Sequence, residues 1–228
     1  MIQEELLKVL RSERKEREEG WIYASEVGNC PLSVALRLND YDPRFSDEDL
    51  LTMFVGTALH EAIQRRLGLE YAEWSLKDEE LKLAGHPDGM LNKILIELKS
   101  ISPFAMKYAK EMPYAHHKVQ VSALVHLLRK NKIGCIGSII EYIDKSSGLF
   151  LECEGQEGAV ELMRRIREIR HLEEALKTGT VIIDRVLPFL TIREGKEPWE
   201  CTRCAMKQVC PIYPEIKKLV TKGKENQW

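Results

Sequence analysis

The chain has 228 residues, of which 44% are hydrophobic and 31% are charged, and its formal net charge is −2. This length suits one large domain with its own core, and the small net charge argues against a protein that binds nucleic acid by bulk charge alone. No apolar run approaches the roughly 18 residues of a membrane-spanning helix, and the charged, amphipathic N-terminus does not have the pattern of a signal peptide. We therefore expect a cytoplasmic protein whose six cysteines are thiols or metal ligands rather than disulfides.

The predicted elements mix helices and strands. Helical spacing of apolar residues predicts a helix over residues 1–19 and another that begins after a Ser46 cap and ends near Leu67. The period then changes to two, which predicts strands in YAEWSLK, ELKLAGHPDGML and KILIELKSI. Three later helices are expected from about Pro103, from about Pro113 to Arg129, and from about Glu157 to Leu176, and a hairpin of CIGSIIEYID with LFLECE precedes the last of them. This pattern is typical of an α/β domain whose helices flank a small central sheet.

The stretch GHPDGMLNKILIELKS, residues 85–100, carries the most informative charges. A two-residue loop at Asn92-Lys93 would place Asp88 directly opposite Glu97, with Cβ atoms about 4.5–5.5 Å apart. Like charges at that distance are destabilising unless a cation neutralises them, and carboxylates suit Mg²⁺ or Mn²⁺. Because strand side chains alternate, Lys99 would share a face with Glu97. A cation beside an ammonium suits phosphodiester hydrolysis, although an exposed strand with solvated charges is the alternative interpretation.

A histidine on the preceding helix is a candidate additional ligand. The segment FVGTALHEAIQ contains His60, and Gly56 lies one turn earlier, where it allows close approach of the backbone. An isolated helical histidine is more often a core or surface residue. Beside a carboxylate metal site, however, its imidazole becomes a plausible ligand.

Three cysteines near the C-terminus indicate part of a metal site. They occur in WECTRCAMKQVCP as Cys201, Cys204 and Cys210. A closed tetrahedral site has four ligands, and the candidates for the fourth are Cys30, Cys135 and Cys153. The last two fall in predicted strands, where isolated cysteines are usually small buried hydrophobes. Cys30 precedes Pro31 in a loop that can bend around a metal, so we expect Cys30 to be the fourth ligand. The spacing does not distinguish zinc from iron.

Together these motifs resemble the RecB-like branch of the PD-(D/E)xK nuclease superfamily. The matching motifs, in chain order over about residues 20–213, are Cys30, Gly56-x-x-x-His60, Gly85-x-x-Asp88, Glu97-x-Lys99, Gln120 on a helix, and C-x2-C-x5-C. The cysteines resemble those of the iron–sulfur members, which include CRISPR-associated RecB-like exonucleases and the nuclease domains of AddB-type helicase-nucleases. One position departs from the family pattern, because Leu124 follows Gln120 where the family usually has a tyrosine. The tyrosine contact is then missing or supplied from elsewhere.

The resemblance implies a restriction-endonuclease-like fold, with a central mixed sheet flanked by helices, in a single nuclease domain over residues 1–228. The core would span about residues 45–180, with cluster-binding segments at about 20–40 and 199–213. The implied ligands of Mg²⁺ or Mn²⁺ are His60, Asp88, Glu97 and the carbonyl of Leu98. The resemblance also implies that Lys99 and Gln120 belong to the catalytic site. It implies a 4Fe–4S cluster that joins the N- and C-terminal segments and is held by Cys30, Cys201, Cys204 and Cys210.

The expected function is that of a metal-dependent deoxyribonuclease. The resemblance implies an exonuclease that acts on single-stranded DNA ends and leaves a 5′-phosphate, in a family that also has flap and endonuclease activity. Protein partners would belong to CRISPR adaptation, recombination or repair. Two alternatives remain: a DNA-end-binding adaptor with the same fold and cluster, and an unrelated zinc-clasped interaction module. Further candidate contacts to a DNA strand are His117, Lys118, Arg164, Arg165, Arg167 and Arg170, although a solvated helix face is the more common role of such arginines.

Overall fold

The computed structural model describes residues 1–13, 17–107, 109–155, 158–193 and 196–225. The helices in these ranges are α1 (Ile2–Ser12), α2 (Ala24–Val27), α3 (Pro31–Leu38), α4 (Asp47–Leu67), α5 (Pro103–Met106), α6 (Ala115–Lys130), α7 (Ala159–Thr178), α8 (Ile183–Val186), α9 (Trp199–Thr202) and α10 (Tyr213–Glu225). The strands are β1 (Ile22–Tyr23), β2 (Leu76–Asp78), β3 (Leu83–Gly85), β4 (Gly89–Leu91), β5 (Ile94–Ile101), β6 (Gly137–Asp144) and β7 (Phe150–Glu154). Within the described ranges, no helix combines the length and the apolar character needed to cross a membrane.

The strands form two mixed sheets flanked by helices, where the sequence predicts a single central sheet. The first has the order β1-β3-β2, with β1 parallel and β2 antiparallel to β3. The second has the order β4-β5-β6-β7, with β5 and β6 parallel and the other pairs antiparallel. The chain leaves the first sheet after Gly85 and enters the second at Gly89. Pro87 lies between them without a backbone donor for a ladder, and Gly89 has a φ of 150°, which few other residues adopt.

Helix α6 is the element that joins the two sheets. Parallel strands need a crossover connection, and α5, a 3-10 turn and α6 lie between β5 and β6. One side of α6, including Val121, Leu124 and Leu128, is buried in a core shared with both sheets and with α7. The helix predicted from about Pro113 to Arg129 is therefore confirmed, with its start at Ala115.

A second apolar cluster ties the N-terminal segment to the C-terminal one. It joins α3 to the end of α7, to α8, and to the chain around the cysteines. Leu32 and Leu36 of α3 contribute to it, and Met206 and Ile216 contribute from the C-terminal side. The segments over 20–40 and 199–213 therefore meet through side-chain packing.

The bounds of helix α4 match the prediction, but its apolar residues are more exposed than their helical spacing suggests. Ser46 caps it, since the Ser46 side chain accepts from the Asp49 N–H while the Asp49 carboxylate accepts from the Ser46 N–H. The apolar residues on which the helix prediction rests do not form a buried face, because Phe54 and Leu67 are 41% and 59% exposed. The main neighbours of α4 are α1 and β5, which leave most of its surface uncovered.

Two other predicted helices differ at their ends. The first ends at Ser12 rather than near residue 19, and residues 14–16 of that prediction lie outside the described residues. The long helix predicted from about Glu157 begins at Ala159, and Glu157 lies outside the described residues.

Candidate active site and cysteine cavity

The hairpin of β4 and β5 has the predicted loop and the predicted register. Its pairs are Leu91 with Ile94, Met90 with Leu95, and Gly89 with Ile96. Asn92 and Lys93 both have positive φ, of 51° and 63°, as a two-residue type I′ turn requires. Strand pairing ends at Gly89, and Asp88 lies one residue beyond it. The Asp88 Oδ2 atom accepts a buried hydrogen bond of 2.8 Å from the Leu98 N–H, which fixes the carboxylate against β5.

Glu97, Lys99 and Gln120 form a closed hydrogen-bonded group. Glu97 is 2% exposed, and its Oε1 atom accepts from Lys99 Nζ at 2.7 Å and from the Gln120 amide at 2.5 Å. Lys99 Nζ also donates to Gln120 Oε1 at 2.8 Å. Burial raises the pKa of Glu97 to about 7; Lys99 lowers it, and the nearby Asp88 charge raises it. Gln120 thus holds both the acid and the ammonium from the first half of α6.

His60 brings α4 into the same site. Its Nδ1 atom lies 3.2 Å from Asp88 Oδ1. A Cβ added to Gly56, one turn earlier, would lie 3.0 Å from Ser100 Oγ, so α4 approaches β5 closely, as the glycine predicts.

Two buried atoms of this site have no hydrogen-bond partner. They are His60 Nε2 and Glu97 Oε2. Buried polar atoms are nearly always paired, so two unpaired electron-pair donors on predicted ligands fit a cation. Among the described residues, however, no three His, Cys, Asp or Glu side chains form a ready-made metal site. Side chains would therefore have to adjust on binding.

Leu124, where the family pattern has a tyrosine, is part of the core, and another tyrosine lies beside Lys99 in the sheet. Leu124 is 1% exposed and belongs to the core. Tyr142 of β6 pairs with Lys99 of β5, is fully buried, and has its hydroxyl 2.8 Å from His117 Nδ1. No spacing in the sequence signals Tyr142, because its partner strand lies about 40 residues earlier.

The predicted phosphate contacts on α6 and α7 are mostly engaged within the protein. His117 is bonded to Tyr142, and burial, with smaller effects of Lys99 and His116, lowers its pKa. Arg165 is 8% exposed and Arg170 is half-buried. Both donate to backbone carbonyls, Arg165 to Gly28 and Asn29, and Arg170 to Gly20 and Leu81. Arg164 pairs with Glu161, Arg167 donates to the Met163 carbonyl, and Lys118 is half-buried. These contacts favour a structural role for Arg165 and Arg170 over a role in lining a groove for a DNA strand.

Four cysteines line one small cavity at the second apolar cluster. They are Cys30, Cys201, Cys204 and Cys210. Cys30 is the N-cap of α3, directly before Pro31 at the first helical position. All four are free thiols, and burial raises the pKa of Cys30 and of Cys201 to about 12, with neighbouring thiols adding to the effect. Cys135 and Cys153 pack against the other core. The structure therefore places Cys30, and neither Cys135 nor Cys153, beside the C-terminal three. Cys153 lies in β7, whereas Cys135 precedes β6 instead of lying in the predicted strand.

The sequence patterns do not identify His116 and Trp199, two residues that meet near the cysteines. His116 of α6 contacts the ring of Trp199, with centroids 4.7 Å apart, and its carbonyl lies against Gly28. These contacts join three segments far apart in the chain. Periodicity and motif spacing carry no signal for them.

Comparisons with known proteins give the fold and no more. No known family matches the sequence, and no curated protein matches it. One similar solved structure is described as the crystal structure of SSO0001. The superposition covers 93% of this chain and 97% of that one, with a TM-score of 0.60 and 20% identity. At this identity the similarity shows a shared fold alone.

Proposed function

We propose that the protein is a Mg²⁺- or Mn²⁺-dependent deoxyribonuclease that acts on single-stranded DNA ends. The fold would be restriction-endonuclease-like and the chain a RecB-like iron–sulfur member of the PD-(D/E)xK nucleases. The observation that carries the proposal is the meeting of Asp88, Glu97 and Lys99 in one buried site, where His60 and Glu97 each keep an unpaired polar atom.

The proposal assigns a role to each residue of the site. Asp88, Glu97, His60 and the Leu98 carbonyl would hold the cation, which when bound lowers the pKa of a water molecule and polarises the phosphate. Asp88 also restrains β5 through the Leu98 N–H.

The ammonium of Lys99 is held by Glu97 and Gln120. It is therefore available at a fixed place to stabilise negative charge that develops on the phosphate oxygens, and a donor placed in advance needs no reorganisation during the reaction. Gln120 restricts the motion of Lys99 and Glu97 together, because its amide bonds to both side chains.

We propose a 4Fe–4S cluster for the cavity lined by Cys30, Cys201, Cys204 and Cys210. Four thiols around one cavity supply the donor set of such a cluster, and their raised pKa values indicate thiols that ionise only with a strong compensating charge. Zinc uses the same donors. Anaerobically purified protein should be brown and contain iron and sulfide; colourless protein with stoichiometric zinc would contradict the cluster.

A DNA-end-binding adaptor without cleavage is the second candidate. It is favoured by the lack of a ready-made metal site among the described side chains and by the core position of Leu124. The paired Lys99 and Glu97 weigh against it, since binding alone does not need an ammonium held inside a carboxylate site.

One experiment separates the two functions. Binding and cleavage of the same labelled single strand are measured with Mn²⁺ for the wild type, Lys99→Ala and the surface control Lys177→Ala. The nuclease reading predicts that wild type and control cleave, while Lys99→Ala binds without cleaving. Wild type that binds the strand and never cleaves it supports the adaptor, and full cleavage by Lys99→Ala removes the proposed role of Lys99.

A further inference from the structure

His116 contacts two segments that carry cavity cysteines and lies on the same helix as Gln120 of the carboxylate site. His116 is the second residue of α6 and lies one helical turn before Gln120. Residues four apart on a helix share a face. His116 and Gln120 are therefore neighbours on α6, and Gln120 bonds both Glu97 and Lys99.

From the C-terminal side, Trp199 packs on His116. Trp199 is the first residue of α9, the helix that contains Cys201. The two ring centroids are 4.7 Å apart at an interplanar angle of 42°. The imidazole of His116 also lies near the ring of Tyr114, with centroids 5.8 Å apart at 10°, and near the ring of His117, with centroids 4.0 Å apart. The His116 ring therefore lies in a group of aromatic rings, one of which, Trp199, belongs to the same helix as Cys201.

On the N-terminal side, the backbone of the loop that leads to Cys30 lies close to the backbone of His116. A Cβ added to Gly28 would lie 2.2 Å from the His116 carbonyl oxygen. This loop is fixed from behind by the buried Arg165, which donates to the carbonyls of Gly28 at 3.2 Å and Asn29 at 3.0 Å. The first turn of α6 thus has backbone contact with the Cys30 loop and ring contact with the Cys201 helix.

The contact between His116 and Trp199 is one between uncharged rings. Burial lowers the pKa of His116 to about 4, and the charges of Lys99 and Arg165 lower it as well.

We propose that His116 is a positioning residue, through which the cysteine-lined cavity holds the first turn of α6 and thereby fixes Gln120, Glu97 and Lys99. The cavity then controls the geometry of a site that it does not touch. A loss of this link would lower the cleavage rate, because small misplacements of catalytic groups cost large factors in rate. This consequence rests on the proposed nuclease function. The mechanical link itself does not depend on that function.

The test measures the link without DNA. Lys99 is shielded by its bonds to Glu97 and Gln120, so its rate of labelling by an amine-reactive probe, followed by mass spectrometry in EDTA, reports how well the group is held. Trp199→Ala should raise that rate about two- to twelve-fold, which is the range expected from losing one aromatic pair. His116→Ala should raise it similarly, His116→Phe should restore it, and Lys130→Ala at the far end of α6 should not change it.

A double-mutant cycle decides between the link and general loosening. Adding Trp199→Ala to His116→Ala should give no further increase if the effect passes through His116. Independent, multiplying effects would overturn the proposal, and so would an unchanged rate in both single variants. If His116→Ala does not fold, Gly28→Ala provides a second test, because its added methyl group would clash with the His116 carbonyl and displace the first turn of α6. This variant should also raise the rate of Lys99 labelling, and an unchanged rate counts against the link. Should the protein prove not to cleave DNA, the labelling result stands or falls by itself.

Discussion

The substitution Asp88→Asn isolates the charge of the candidate metal site. Asparagine has the same shape, and its side-chain oxygen can still accept the Leu98 N–H that Asp88 accepts at 2.8 Å. What disappears is a negative charge that raises the pKa of the buried Glu97. Like charges close together in a buried site destabilise the folded state. Without divalent cations, the variant should therefore unfold at the same temperature as the wild type or a few degrees higher.

Addition of Mn²⁺ should reverse this order. A cation at a hundred times its dissociation constant stabilises the folded state by about 2.7 kcal/mol. For a chain of this size, 1 kcal/mol shifts the unfolding temperature by about 2–4 °C, so the wild type should gain roughly 5–11 °C. Asp88→Asn should gain only a small part of that. Thermal unfolding under anaerobic conditions, with EDTA or Mn²⁺, measures both effects.

A second buried acid supplies the matched control. Asp78 is 2% exposed and bonds to His126 at 2.7 Å in the other sheet region. Asp78→Asn should lower the unfolding temperature and still show the full increase with Mn²⁺. A wild type that gains nothing from Mn²⁺, or an Asp88→Asn variant that gains as much as the wild type, would refute the assignment of Asp88.

Three further results are expected. Lys99→Ala should keep the stabilisation by Mn²⁺ but lose about 10²–10³-fold in cleavage rate, the usual effect of removing one donor to developing charge; loss of both would instead make Lys99 part of the fold. Cys30→Ala should lose iron and unfold at a lower temperature while Cys135→Ala keeps its iron, and the opposite pattern would exclude Cys30 as the fourth ligand. Burial raises the pKa of Asp78, but the bonds from His126 and two backbone N–H groups outweigh it and lower the pKa overall. Its contribution to stability is therefore present above about pH 4 and is lost as the pH falls through the depressed pKa, so Asp78→Asn should flatten the acid limb of the stability curve there. An identical acid limb would contradict that role.

Local patterns in the sequence predict the β4–β5 hairpin and the bounds of α4 correctly. Alternation of apolar residues fixes which face of β5 carries Glu97 and Lys99, and a two-residue loop at Asn92-Lys93 then sets the register. Ser46 predicts the start of α4 because its side chain replaces the missing helical acceptor. These features depend on neighbours within a few residues, which the sequence displays directly.

Features that depend on distant segments could not be predicted in this way. The exposure of Phe54 on α4 depends on which elements pack against that helix. The division into two sheets depends on where the chain turns away after Gly85. The contact of Trp199 with His116 joins residues 83 positions apart, and neither periodicity nor a short motif records such a pair.

The most direct test is an anaerobic time course on an end-labelled single-stranded oligonucleotide with Mg²⁺, with Mn²⁺ or with EDTA. A nuclease built on Asp88, Glu97 and Lys99 should release products with 5′-phosphates when either cation is present, and EDTA should stop the reaction. Degradation that continues in EDTA would contradict the account. So would protein that keeps its iron, binds the strand and leaves it intact at every cation concentration.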